Sequence, residues 1–103
     1  MLEKLTREDF LRHVGTTFKV SGAPADVDLR LLEALELGPK PARLVKPGNR
    51  AAAFSLRFEG PAQPYLPQQM WTLVHPELGT LAGVFLVPIG REGENFVYEA
   101  IFN

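Results

Sequence analysis

The chain has 103 residues, 46% of them apolar and 22% charged, with a formal net charge of −1 and no cysteine. These values describe one soluble globular domain, exclude disulfides and thiolate metal sites, and lack the positive excess on which nucleic-acid binding draws. No apolar run approaches the ~20 residues that span a bilayer, and the opening MLEKLTREDF is charged where a signal peptide is apolar, so the expectation is a cytoplasmic protein with neither nucleic acid nor membrane as partner.

Thr6 followed by Asp9 has the spacing of a helix N-cap pair, and Glu8 and Asp9 place negative charge in the first turn, where the helix dipole favours it. Phe10, Leu11 and Val14 form a short apolar stripe that Gly15 ends, which predicts a helix of about two turns. A helix that short is not stable alone in water and has to dock on something. His13, in its last turn, is read as a partner of exposed carbonyls.

Thr16–Val20 is β-branched and aromatic and reads as a strand ended by Ser21-Gly22-Ala23-Pro24. Asp26–Leu37 admits two readings. As a helix, Asp26 or Asp28 would cap it and Gly38 would stop it. As a strand, Val27, Leu29, Leu31, Leu35 and Leu37 share a face, with Glu33 the exception, and this better fit to period two favours the strand. Gly38 to Arg50 holds three prolines and four basic residues and reads as a surface loop, either a solvated connector or a partner contact through Lys40, Arg43, Lys46 and Arg50.

Ala51–Glu59 alternates, with Phe54, Leu56 and Phe58 inward and Ser55, Arg57 and Glu59 outward. Gly60-Pro61 ends it, and the proline-rich connector through Gln69 cannot enter a sheet interior. Met70–His75 resumes as a strand. His75-Pro76-Glu77-Leu78 suits a type I turn, with Gly79 as the left-handed residue that completes a hairpin. Thr80–Ile89 is apolar on both faces, with Leu81, Phe85 and Val87 on one and Ala82, Val84 and Leu86 on the other, so it has to be covered twice, by a barrel interior and the N-terminal helix, by a second sheet or by another protein. Gly83 marks a bulge or bend. After the charged turn Arg91–Asn95, Phe96, Tyr98, Ala100 and Phe102 share one face of a closing strand.

Little recognisable chemistry is superimposed on this pattern. Ser21 and Ser55 lack a nucleophile's setting, and His13 and His75 stand far apart in sequence, a thin supply of bases or metal ligands. An enzymatic reading needs His75 and an acid in a common cleft, and the expectation is no catalytic centre, no cofactor and no metal. Near the connector, Tyr65, Leu66 and Trp71 form either an exposed patch of the kind that anchors interfaces or, as the alternative, core filling by Trp71 with Tyr65 packing the loop onto it. The candidate partner-binding residues are therefore Tyr65, Leu66, Trp71, Arg43 and Lys46.

Five segments, Phe54-Ser55-Leu56-Arg57-Phe58-Glu59-Gly60-Pro61, Leu66-Pro67-Gln68, His75-Pro76-Glu77-Leu78-Gly79, Phe85-Leu86-Val87-Pro88-Ile89-Gly90 and Tyr98-Glu99-Ala100-Ile101-Phe102-Asn103, resemble a bacterial family of small proteins carrying a domain of unknown function. Similar proteins open with an element like Leu5–Phe10, so the resemblance runs along nearly the whole chain. It implies strand over helix for residues 27–37, adds no active site, and implies an accessory role beside phage-tail-like or tail-fibre-like components.

The sequence thus predicts a single, mainly β domain: a small antiparallel barrel or sandwich of about six strands with one short N-terminal helix. The functional expectation is a non-enzymatic interaction or structural-accessory protein that self-associates or docks on a larger assembly. The alternative is a carrier whose partly hollow barrel, lined by Phe54, Phe58, Phe85 and Phe96, holds a small apolar ligand.

Overall fold

The computed structural model describes residues 5–22, 27–39, 52–63 and 65–102. The helix α1 (Arg7–Leu11) is followed by six strands: β1 (Thr17–Ser21), β2 (Val27–Pro39), β3 (Ala52–Pro61), β4 (Gln69–His75), β5 (Gly79–Glu92) and β6 (Asn95–Phe102). All neighbours are antiparallel, and the order β1-β2-β3-β6-β5-β4 closes on itself through the β1–β4 pairing Lys19↔Val74, Val20↔Leu73 and Ser21↔Thr72. Closure gives every strand a neighbour on each side, so the sheet has no terminal strand. Of the two architectures expected, this is the barrel.

Three local irregularities decide which side chains enter the barrel. Between Leu31↔Phe58 and Glu33↔Arg57, β2 carries one residue more than β3. This bulge at Leu32 moves Ala34 inward and turns Leu35 outward. A second extra residue, Leu37, precedes the Gly38↔Ala53 pair. The face predicted for β2 is therefore correct through Val27, Leu29 and Leu31, and wrong beyond them: Leu35 and Leu37 lie on the surface. In β5, Ala82 and Gly83 together oppose Thr72, and Gly83 takes the φ of 75° that such a bulge requires. Leu81, Val84 and Leu86 then all point inward, so the division predicted for this strand is overturned. Phe85, assigned to the interior from the sequence, is 43% exposed on the outside. Within this chain the strand is covered once, by the core.

The core fills the barrel and both of its ends. Phe18, Leu29, Leu31, Leu56, Phe58, Leu73, Leu86 and Tyr98 are buried along the axis. One end is closed by α1. Thr6 and Asp9 form the full reciprocal capping box, with Thr6 N–H donating to Asp9 Oδ2 at 2.8 Å and Asp9 N–H to Thr6 Oγ1 at 3.4 Å. The helical stretch is one turn rather than two. Of its predicted stripe only Phe10 is buried, while Leu11 and Val14 remain exposed. Phe10 packs against Phe18, Phe54 and Phe102 at ring separations of 6.4, 5.8 and 5.6 Å. Arg7 Nε donates to the Ala34 carbonyl at 2.9 Å, and Gly15 N–H to that of Leu31 at 2.7 Å, so three anchors hold a helix too short to persist alone.

The opposite end is closed by the β3–β4 connector. Leu66 is fully buried there and donates its backbone N–H to the Tyr98 hydroxyl at 3.1 Å, while Trp71 Nε1 donates to the Pro67 carbonyl at 3.1 Å. β3 passes so close to β2 at this end that a Cβ on Gly60 would lie 2.6 Å from Leu29 Cδ2.

Candidate functional site

The two histidines, far apart in sequence, meet at the α1 end of the barrel. The turn after α1 carries His13, the end of β4 carries His75, and their rings lie 4.5 Å apart. His75 is buried beside Phe18, whose ring is also 4.5 Å away. Its Nδ1 accepts the backbone N–H groups of Glu77 at 3.1 Å and Leu78 at 3.3 Å, amides that the Pro76 turn would otherwise leave unpaired. Thr16 Oγ1 donates its single proton to the His13 carbonyl at 2.6 Å, so the 3.0 Å contact between Thr16 Oγ1 and His75 Nε2 has the imidazole as donor. The bonding pattern thus selects the neutral tautomer with its proton on Nε2.

Burial holds the His75 pKa below its ordinary value, neighbouring His13 lowers it further, and Glu77 opposes both. Glu77 Oε2 lies 3.6 Å from His13 Nε2. A base needs a free lone pair aimed at a proton, and that of His75 is already held by two amides. The cluster pins the β4–β5 hairpin to the turn after α1. Among the described residues no three His, Cys, Asp or Glu side chains form a metal-binding group.

The more open feature lies on the outside. Across β2, β3 and β6, Leu35 pairs with Ser55 and Ser55 with Ile101. On β5, Val87 pairs with Glu99, so Phe85 and Ile101, each two residues farther along, face the same way on adjacent strands; Phe85 in turn pairs with Met70 of β4. Met70, Phe85, Ile101 and Leu35 are all exposed, and Leu37 lies just beyond Leu35. Ser55, at the middle of this row, is covered by its neighbours. One row nearer the connector end, Arg57 stands between Glu33 and Glu99, with Nη1 3.4 Å from Glu33 Oε2 and Nε 3.5 Å from Glu99 Oε2. The second is an ion pair only, because Arg57 Nε makes no hydrogen bond. Exposed apolar side chains from β4, β5, β6 and β2 thus follow one row around the barrel, interrupted at β3 by the buried Ser55 and bordered by a ladder of alternating charge.

Of the residues singled out in sequence, Trp71 lies in the core, which is the alternative weighed for it, and Leu66, expected in the exposed patch, is fully buried because it plugs the end of the barrel. Tyr65 is exposed and packs edge-on against Phe96 at 5.1 Å, with the Arg91 guanidinium 5.4 Å over the Phe96 ring. Arg43 and Lys46, with Lys40 and Arg50, lie outside the described residues. The four phenylalanines assigned to a hollow interior divide: Phe54 and Phe58 are buried, Phe96 is half-buried, and Phe85 lies on the outside. The histidine pair and the outer row both escaped the sequence reading. The one visible signal for the row was Glu33, the residue out of phase in β2.

Among the described residues, no helix is long and apolar enough to cross a membrane. The family model described as a domain of unknown function (DUF6916) matches residues 5–102. No curated protein and no solved structure matches the chain.

Proposed function

The chain belongs to the DUF6916 family, and from that premise we propose that it is a protein-interaction module: a structural accessory without catalytic activity that binds through the outer row Met70–Phe85–Ile101–Ser55–Leu35. The exposure of that row carries the reading. Met70, Phe85, Ile101 and Leu35 are 36–63% exposed on a barrel whose interior and ends are already filled, and exposed apolar patches of a few hundred Å2 on small soluble proteins commonly serve binding. The enzymatic alternative finds its best base, His75, spent on two turn amides. The proposed setting is the cytoplasm, beside a larger assembly; the motif resemblance adds a phage-tail-like one.

Affinity capture from the native cell extract tests this reading. The wild-type chain should retain defined proteins, copies of itself included, and the double variant Phe85→Ser with Ile101→Ser should lose them while keeping its melting temperature. Recovery of the same proteins by both chains would refute it.

A further inference from the structure

We propose that the His13–His75 cluster is an acid-operated latch on the α1 end of the barrel: a proton added to the His75 ring frees the β4–β5 turn from the turn after α1, and the helix lifts while the six strands stay paired. The outer row plays no part in it.

The hydrogen bonding leaves the ring one way to respond to acid. Nε2 of the neutral imidazole donates to Thr16 Oγ1 at 3.0 Å, and Nδ1 accepts the amides of Glu77 and Leu78 at 3.1 and 3.3 Å. A second proton can enter only at Nδ1, where it would point at two N–H groups. Both bonds are then lost together, and the turn they brace has to move.

The surrounding charges do not compensate. His75 is 4% exposed and faces His13 from the turn after α1 and Glu77 from the β4–β5 turn. From β1 it meets the uncharged Phe18, while Lys19 of that strand lies outside against Asp28 at 3.6 Å. The rest of β4 and the facing end of β5, Gly79–Leu81, carry no charge. On the helix side, Arg7 is bound to the Ala34 carbonyl and Asp9 to the helix cap, and Glu8 and Arg12 are exposed. Glu77 can neutralise one imidazolium, and its Oε2 already lies 3.6 Å from His13 Nε2. With both rings charged, one stands without a counter-charge.

What the latch holds is weak by itself. The five residues of α1 are otherwise tied down by the packing of Phe10, the Arg7 bond and the backbone bonds of Gly15 and Thr16 with Leu31. Segments with so few anchors open well below the cost of global unfolding. Lifting this one uncovers Phe10, Phe54 and Phe102, so acid turns a sealed barrel end into an apolar mouth.

Residue-resolved hydrogen exchange of the full chain, read by NMR as protection factors at pH 7.5 and 5.5 with and without low urea, tests the latch. The amides of Gly15, Leu31, Glu77 and Leu78 should exchange through an opening that is less protected and less urea-dependent than that of β3 and β6. Its population should rise between pH 7.5 and 5.5, by up to about tenfold for one proton excluded from a group whose ordinary pKa is 6.5. His75→Gln should abolish the rise. His13→Gln, which removes a like charge, should shrink it, and Glu77→Gln, which removes the counter-charge, should enlarge it; these two variants decide the matter even if His75→Gln does not fold. Three results overturn the proposal: four amides that share the protection and urea dependence of β3 and β6, an opening that ignores pH, and a rise that is the same in His13→Gln and Glu77→Gln.

Discussion

Replacing Phe10 with alanine should be among the most damaging single truncations in this domain. The side chain is wholly buried at the end of the barrel, with Phe18, Phe54 and Phe102 around it. Removing most of an aromatic ring returns ~150 Å2 of apolar burial, which at ~25 cal/mol per Å2 is about 4 kcal/mol. Measured Phe→Ala costs in packed cores run ~3–5 kcal/mol, cavity included. The upper end is limited here, because a five-residue helix can tilt towards the void or lift away and admit water.

For a domain of this size each kcal/mol moves the melting temperature by ~4–8 °C, so the expected drop is ~12–40 °C. Urea unfolding followed by the fluorescence of Trp71, which lies at the opposite end of the barrel, measures the loss without reporting on the helix directly. Phe85→Ala serves as the control. The same chemical deletion on the outer face should cost less than ~1 kcal/mol, as surface changes do. A Phe10→Ala protein within 1 kcal/mol of wild type, or a Phe85→Ala protein damaged as badly, would refute both the plug and the direction assigned to β5.

Two further outcomes follow from the buried polar groups. The folded His75 pKa lies below its ordinary 6.5, so on acidification the unfolded chain takes up the proton first. Stability is full above pH ~6.5 and declines as pH falls from there towards the folded value. Urea midpoints between pH 7.5 and 5.5 should fall in wild type and fall less in His75→Gln; equal slopes would dismiss the neutral-imidazole lock. Tyr98→Phe leaves the Leu66 N–H without its acceptor in a buried connector and should cost ~1–3 kcal/mol. Because burial raises the Tyr98 pKa, the unfolded chain loses that proton first at high pH. Wild type should therefore weaken above pH ~10 relative to the variant, and identical alkaline melting curves would count against the burial of the hydroxyl.

The periodicity of the strands carried most of the fold. Alternation over Phe54–Phe58 and Phe96–Phe102 placed those side chains correctly, because β3 and β6 pair with each other without a register shift. It failed in β2 and β5, where one added residue reverses every later side chain. Such an insertion leaves composition and local propensity unchanged: the Leu32 and Leu37 bulges are invisible in a leucine-rich run except through the misplaced Glu33. Gly83 did signal its bulge. The consequence for Phe85 depends on which side of the glycine the parity is counted from, and only the cross-strand register supplies that. The meeting of His13 with His75 requires the barrel to close and α1 to fold back across its end, and neither is encoded within reach of either histidine.

The topology places β6, the last of the six strands in chain order, between β3 and β5. Until β6 is made, the growing chain therefore holds a split sheet with two raw borders facing each other, both ready to recruit a stray strand from another molecule. β6 acts as a keystone, and removing residues from it should leave material that clumps during production, not a smaller folded core.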